Sequence, residues 1–336
     1  MAETVLVTGG TGYVAGWVIV ELLKGDYDVR ATVRSLKRAD GARAAVARGG
    51  VKTDRLAFVA ADLTSDEGWD EAMKGVDYVL HVASPLGTGN EKGKDAFVGP
   101  AREGTLRVLR AAVKAGVKRI VLTSSCGAAT PVVMGKETVS DEMTWSDPSK
   151  QEPYRRSKTL AEKAAWEFME KEGGKTEFAT VLPSGVFGPI LTREGLGSVQ
   201  FIQRIFDGRL PRIPNVGLNI IDVRDLATAH VQAMKAPGAA GQRLIISGDF
   251  MWMKEIAALL KARLGARGDK VPTKILPDWV VKAGAGFNPA LNTLKPLLQR
   301  SHRFSSEKAR RLIGLRTRPA TETVVDCAES LLEIAA

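Results

Sequence analysis

The stretch from Thr4 to Leu23, TVLVTGGTGYVAGWVIVELL, limits the possible folds more than any other part of the chain. Val5, Leu6 and Val7 form a short apolar run of the kind buried on both faces of a parallel sheet. Thr8-Gly9-Gly10-Thr11-Gly12 is too rich in glycine to extend a regular element. Beyond it, Val14, Trp17, Val18, Leu22 and Leu23 recur at helical spacing. A strand, a glycine turn and a helix in succession form the context in which such a pattern binds a dinucleotide. Glycine permits a tight turn and brings the backbone against a pyrophosphate with no Cβ in the way. The helix start then offers free N–H groups and the positive end of a dipole. Two registers fit: Gly10-x-Gly12-x-x-Ala15 and Thr8-Gly9-x-x-Gly12-x-x-Ala15. In both, Ala15 is small enough for the helix to lie close on the strand.

The alternation set up there continues. Further strands are predicted at Asp28 to Arg34, Arg55 to Ala61, Val76 to Ser84, Lys118 to Ser124 and Phe178 to Leu182. Helices are predicted over 36–48, 101–115 and 153–172, with a short one after Asp62. Strands alternating with helices imply an α/β fold, a Rossmann-type doubly wound parallel sheet whose ligands bind at the carboxyl ends of the strands. Past Gly188-Pro189 the rhythm breaks. Residues 190–218 read as loop, because Gly195, Gly197, Gly208, Gly217, Pro211 and Pro214 fall within them. A helix from Asp222, a strand RLIIS, a helix over 253–264 and a last helix over 320–334 follow. The expected organisation is a dinucleotide-binding domain over 1–189, with 219–236 returning to it. A smaller substrate-binding lid, mostly C-terminal, takes 190–218 and 237–336.

Bulk properties narrow the function classes. A length of 336 residues suits one large or two intimate domains, and 44% hydrophobic content is ample for a core. No eighteen-residue apolar run occurs, so no membrane association is expected. The chain enters a strand at once, with Glu3 inside the first residues, which argues against a signal peptide. Cys126 and Cys327 are too few for a disulfide framework, and a reduced, cytoplasmic setting is expected. The net charge of +10 is spread among 38 acidic residues rather than clustered, which argues for a solvated surface and an anionic cofactor rather than nucleic acid. His81 reads as a core histidine. His230 and His302 have no partners at metal-ligand spacing, so no metal site is expected.

Tyr154 and Lys158 stand four apart just after Pro153, on one face of the predicted long helix. A neighbouring ammonium lowers a tyrosine pKa, and a tyrosine so tuned acts as general acid or base near neutral pH. Upstream, the fifth strand ends in Thr123-Ser124-Ser125, where a hydroxyl can polarise a carbonyl. Cys126 follows directly and is expected near a substrate, without a base that would make it a nucleophile. In the lid, Leu191, Leu196, Phe201, Ile205 and Phe206 suggest an apolar or aromatic substrate.

The order Thr-Gly-x-x-Gly-x-x-Ala, Ser-Ser, Tyr-x-x-x-Lys resembles the extended short-chain dehydrogenase/reductase superfamily, along almost the whole chain. Finer features are similar to its dihydroflavonol reductase-like branch, which includes cinnamoyl-CoA reductases and ketone and aldehyde reductases. They are Ala31-Thr32-Val33-Arg34, Val79-Leu80-His81-Val82-Ala83-Ser84-Pro85, Gly104-Thr105, and Arg318-Pro319 before a helix containing Ala328-Glu329-Ser330. The resemblance implies that Tyr154 donates the proton, that Lys158 lowers its pKa and binds the nicotinamide ribose, and that Ser125 holds the carbonyl, with Ser124 the second choice. It also implies Gly9, Gly12, Tyr13 and Val14 at the pyrophosphate, and Asp62 and Leu63 at the adenine. Val82, Ala83 and Ser84 would lie along the ribose and pyrophosphate, and Pro183, Val186 and Ser198 near the nicotinamide end and pyrophosphate.

Charge at the end of the second strand bears on cofactor choice. NAD enzymes place Asp or Glu there, against the ribose 2′-hydroxyl. This chain has Val33-Arg34-Ser35, then Lys37 and Arg38. Arg34, with Lys37 or Arg38 as a second cation, suits a 2′-phosphate, so NADP(H) is the expected cofactor. NADPH-dependent reduction of a ketone or aldehyde, by a monomer or homodimer acting on a small carbonyl compound, is therefore the leading expectation. A nucleotide-sugar epimerase or dehydratase uses the same residues, but it typically carries Arg and Asn where Leu182 and Gly185 stand here. A 3β-hydroxysteroid dehydrogenase-like enzyme is a further variant. A non-catalytic NADP-sensing or nucleic-acid-binding protein is the alternative of another class, and such proteins usually lack the Tyr/Lys pair.

Overall fold

The computed structural model describes residues 2–84 and 97–334. Pro85, the last residue of the motif beginning at Val79, lies outside them. Seven strands form one sheet in which every neighbouring pair is parallel. They are β1 (Thr4–Val7), β2 (Asp28–Val33), β3 (Leu56–Ala60), β4 (Tyr78–His81), β5 (Arg119–Thr123), β6 (Glu177–Pro183) and β7 (Arg243–Ile246). Their order is β3-β2-β1-β4-β5-β6-β7. The order reverses between β1 and β4, and a crevice opens beyond the carboxyl ends at such a point.

The sheet is buried on both faces, as the continuous apolar runs require. Val5, Leu6, Val7, Val79, Leu80, Ile120 and Val121 are all fully buried. Helix α1 (Tyr13–Lys24) covers the β1 side with Ala15, Val18, Ile19 and Leu22. The opposite face is closed by α3 (Trp69–Met73), α4 (Val98–Lys114) and α5 (Pro153–Glu172), through Trp69, Leu106, Leu109, Ala165 and Phe168. Between β2 and β3, a 3₁₀ turn at Leu36–Arg38 precedes α2 (Ala39–Ala47).

Two expectations are corrected. Residues 190–218 are not simply loop, because α6 (Val199–Phe206) lies within them. Its glycines flank the helix rather than interrupt it: Gly195, Gly197 and Gly208 all have positive φ, outside its two ends. The same stretch holds the short strand Ile213–Pro214 and the start of the strand Gly217–Asp222. Arg243–Ile246, assigned to the lid by its place in the sequence, is β7 and pairs in register with Thr180–Pro183 of β6. A crossover helix, α7 (Val223–Lys235), packs beside α1 and delivers that strand to the edge of the sheet.

The remaining elements build a second core from α6, α8 (Met253–Leu264) and the last helix, Ala320–Glu333, with Val199, Ile202, Ile256, Leu260 and Val324 at its centre. Val14, Trp17 and Val186 pack against both cores and join them. Polar ties fix the same seam. Tyr13 Oη donates to the carbonyl of Gly188 at 3.0 Å, and Trp17 Nε1 to that of Pro189 at 2.8 Å. No helix among the described residues is long and apolar enough to cross a membrane.

Candidate active site

A cleft of about 1310 Å³ runs from the carboxyl ends of the sheet to the underside of the second core. Gly9, Gly12, Val14, Val82, Ala83 and Ser84 line its floor at the β1–β4 switch point. Gly9 has φ +75°, and a Cβ there would lie 3.0 Å from that of Ala83. Thr8 Oγ1 draws the two strand ends together by accepting from the Ala83 N–H at 2.9 Å. Gly12 caps α1 with no side-chain bond to the helix, which leaves the first N–H groups of α1 open to an anion. Tyr13 contributes backbone at this point, while its ring is buried in the second core.

Arg34, Asp62 and Leu63 line the neighbouring wall. Asp62 accepts from the N–H and hydroxyl of Thr64, and these bonds hold its carboxyl below the usual range, with Arg34 and Arg107 adding to the effect. Arg34 is exposed and makes no hydrogen bond or ion pair among the described residues. Lys37, expected as a cofactor contact, points to solvent and does not line the cleft. Its place in the 3₁₀ turn carries it past the wall, and Arg38 faces the cleft instead, paired with Glu194.

At the centre, Ser125 follows β5 in extended backbone and begins a 3₁₀ turn at Cys126–Ala129. Its Oγ accepts from the N–H of Gly127 at 3.0 Å, which leaves the hydroxyl proton to donate elsewhere. Ser124 Oγ is turned inward and donates to Glu162 at 2.6 Å. The thiol of Cys126 is buried against the carbonyl of Leu182, at 3.1 Å, and burial pushes its pKa well up. Cys126 lines the cleft next to Ser125, with its thiol turned to the Leu182 carbonyl.

Tyr154 and Lys158 come from the first turns of α5. Pro153 starts this helix and Glu152 caps it by accepting from the N–H groups of Tyr154 and Arg155, both at 2.9 Å. Lys158 is buried and donates from Nζ to the carbonyl of Thr123 at 3.2 Å. Burial draws its pKa down to about 8, opposed by Glu162. Tyr154 departs from expectation. Desolvation in the cleft raises its pKa, Glu152 raises it further, and Arg155 opposes. The ammonium expected to lower it is anchored on Thr123, so the phenol stays protonated through neutral pH.

Pro183, Ser184 and Val186 complete the middle of the cleft, and Ser198 lies at the start of α6. Ser184 Oγ is buried without a hydrogen-bond partner among the described residues. A hydroxyl left unpaired costs free energy and points to a missing ligand group. From the lid side, Phe201, Leu218, Phe250, Leu297 and Phe304 line the cleft, with Arg300 and His302 beside them. Of the lid residues expected near a substrate, Leu191 and Leu196 are core residues ahead of α6, and Ile205 and Phe206 lie on its inward face; of the five, only Phe201 lines the cleft. The aromatic wall from residues 250 and 304 escaped sequence reasoning, since those residues lie in short strands with no motif. His81 and His230 are buried, and His302 bonds Ser140 at 2.9 Å. No group of metal ligands occurs among the described residues.

The open α1 N-terminus, the Gly9 cradle, the unpaired Arg34 and the orphaned Ser184 hydroxyl together fit a dinucleotide carrying an extra phosphate. Comparisons with known proteins agree with this geometry. Residues 5–247 match the model of the NAD dependent epimerase/dehydratase family. A ketoreductase, azaE, of Aspergillus niger is 32% identical over 99% of this chain and 98% of its own length. Cinnamoyl-CoA reductase 1 of Petunia hybrida is 30% identical over 98% of this chain and 92% of its own. Among solved structures, the yeast methylglyoxal/isovaleraldehyde reductase Gre2, complexed with NADPH, superimposes with a TM-score of 0.82 at 26% identity, covering 99% of both chains.

Proposed function

The chain belongs to the NAD dependent epimerase/dehydratase family, and from that premise we propose that it is an NADPH-dependent reductase of ketones or aldehydes. One observation carries the reading: Ser125, Tyr154 and Lys158 line the same cleft as Arg34 and Arg38. Gly9, Gly12 and the α1 N-terminus would hold the pyrophosphate, Asp62 and Leu63 the adenine, and Arg34 with Arg38 the 2′-phosphate. NADPH, when bound, supplies the hydride that the carbonyl carbon accepts. Ser125 then donates its free hydroxyl proton in a hydrogen bond to the carbonyl oxygen. Tyr154, kept protonated by its surroundings, transfers its phenolic proton to that oxygen as charge develops on it. Lys158 holds a positive charge beneath the site through its bond to Thr123 and stabilises the phenolate left behind. The aromatic wall of Phe201, Phe250 and Phe304 favours apolar or aromatic carbonyl compounds.

The same catalytic set would serve a nucleotide-sugar epimerase, and the segment after β6 weighs against that. Leu182 is fully buried where such enzymes carry Arg. At Gly185 a Cβ would stand 2.9 Å from the carbonyl oxygen of Asn219 and 2.9 Å from the ring of Phe187, so an asparagine has no room. The deciding experiment follows NADPH oxidation with a panel of aromatic, branched and hydrophilic carbonyls, beside UDP-sugar conversion without added carbonyl. Turnover of the sugar nucleotide alone would overturn the reductase reading.

A further inference from the structure

Tyr154, Lys158 and Glu162 follow at four-residue intervals along α5 and share one side of it. Glu162 is 1% exposed. Its carboxylate accepts from Ser124 Oγ at 2.6 Å, from Thr180 Oγ1 at 2.9 Å and from Arg243 Nε at 2.8 Å. Arg243 is buried as well and spends further donors on the carbonyls of Glu142 and Thr144, at 2.6 and 3.0 Å. An apolar pair of similar volume would often be as stable as such a buried ion pair, because desolvation offsets the Coulombic attraction. Stability alone is therefore a weak reason for placing this pair one turn from Lys158.

Two connections supply a stronger one. The chain leaving β5 is gripped from α5 at two adjacent points: the Thr123 carbonyl by Lys158 and the Ser124 hydroxyl by Glu162. Ser125 comes next, so its placement against Tyr154 depends on that grip. Glu162 also acts electrostatically on Lys158. The other ionisable group coupled to Lys158 among the described residues is His81, at the end of β4, which burial keeps neutral. Helix α4 presents Ala101 and Thr105 to this side, neither of which is ionisable. Glu162 is thus the carboxylate balancing the Lys158 ammonium.

We propose that Glu162, clamped by Arg243 and Thr180, is a positioning residue for the reaction: it fixes the strand end bearing Ser125 against α5 and supplies the countercharge that keeps Lys158 protonated. The catalytic part of this proposal rests on the reductase reading. Glu162→Gln keeps the size and removes the charge. In that variant the alkaline limb of the kcat profile should move about one pH unit lower, the scale of losing a nearby opposite charge. Thr180→Val removes one donor and leaves the charge, so its limb should stay in place. The direct measurement is the pH dependence of Lys158 acetylation by acetic anhydride in the cofactor-free protein, read by peptide mass spectrometry. Its midpoint should fall by the same amount in Glu162→Gln. Should that variant fail to fold, Glu162→Asp decides, since it keeps the charge but shortens the reach to Ser124: kcat should fall at an unchanged limb and acetylation midpoint. A folded Glu162→Gln with both the limb and the acetylation midpoint at wild-type values, or a Glu162→Asp with full kcat, would overturn the proposal. A wild-type protein with no carbonyl reductase activity but the expected acetylation shift would instead remove the reductase reading and leave the countercharge standing.

Discussion

The hydroxyl of Ser124 donates to the carboxylate of Glu162 at 2.6 Å, inside the core, while its neighbour Ser125 is held at the mouth of a 3₁₀ turn by the N–H of Gly127. Two adjacent serines with the same chemistry are thereby given different roles. One is spent on the framework, and the other keeps a free proton facing the cleft.

Ser125→Ala should lower kcat with little change in melting temperature, because it removes an outward hydrogen bond. Ser124→Ala should lower the melting temperature clearly, and it should also lower kcat, by less than Ser125→Ala does, because it loosens the grip of Glu162 on the strand end that places Ser125. It withdraws one donor from a buried carboxylate, a change that costs about 1–3 kcal/mol of stability. Thermal melts and steady-state kinetics on both variants test this. A larger kcat loss in Ser124→Ala would mean that the roles are exchanged.

Tyr154→Phe removes only the phenolic hydroxyl, from a residue that is 38% exposed in the cleft. It should reduce kcat about a hundredfold or more, the scale of general acid catalysis, while NADPH still binds. The desolvation that raises the Tyr154 pKa keeps the acid form dominant at neutral pH. Reduction should therefore fade only on the alkaline side. Full activity of the phenylalanine variant would remove Tyr154 from the reaction.

The sheet was legible because its signals are local. Val5 to Val7 and Ile120 to Thr123 are continuous apolar or β-branched runs, the first followed by the glycine turn and the second by the serine pair. The lid was less so. Gly195, Gly197 and Gly208 look like loop when counted together, and only their positions outside α6 show that they end a helix rather than prevent one. Residues 243–246 carried a strand signal, but strand order is a long-range property that a linear reading cannot supply. In the site, Tyr154 and Lys158 announce themselves by spacing. Glu162 continues the spacing by one more turn, but its partners Ser124, Thr180 and Arg243 are distant in sequence, so no local pattern marks it. Arg38 and Lys37 are adjacent, and the turn geometry alone decides which of them faces the cleft.

Stability should fall as pH drops below about 6.5. Burial lowers the pKa of His81 to about 3 and that of His230 and His302 to about 4, all from an ordinary value of 6.5. Between 6.5 and about 4 the unfolded chain takes up protons at these sites and the folded chain does not. His81 and His230, both fully buried, then each remove about 1.4 kcal/mol for every pH unit below 6.5, the partly exposed His302 removes less, and above 6.5 the effect is absent. Urea unfolding at pH 7.5, 6 and 5 reads this slope, which His302→Gln should reduce. An unfolding free energy that stays flat from pH 7.5 to 5 would show that these imidazoles are protonated in the folded state.

Cofactor preference offers the sharpest contrast between adjacent residues. Arg34 lines the cleft beside Asp62 with no ion pair among the described residues, Arg38 lines it while paired with Glu194, and Lys37 faces solvent. A charge-assisted hydrogen bond to a phosphate contributes roughly 1.5–3 kcal/mol, and each 1.4 kcal/mol is a factor of about ten in Kd. Arg34→Ala should therefore weaken NADPH by about ten- to a hundredfold, with NADH nearly unchanged because it has no phosphate there. Arg38→Ala should cost less, since in the free protein that guanidinium must first leave Glu194. By the same argument Glu194→Gln should tighten NADPH slightly, and Lys37→Ala should leave both cofactors as they are. Arg34→Asp should go furthest and shift preference toward NADH, because a carboxylate repels the phosphate and accepts from a ribose hydroxyl. Fluorescence titration of both cofactors against the five variants decides the matter. Equal losses for NADPH and NADH in Arg34→Ala would mean that Arg34 stacks on the adenine instead, and a loss in Lys37→Ala matching that in Arg38→Ala would restore Lys37 as the second cation.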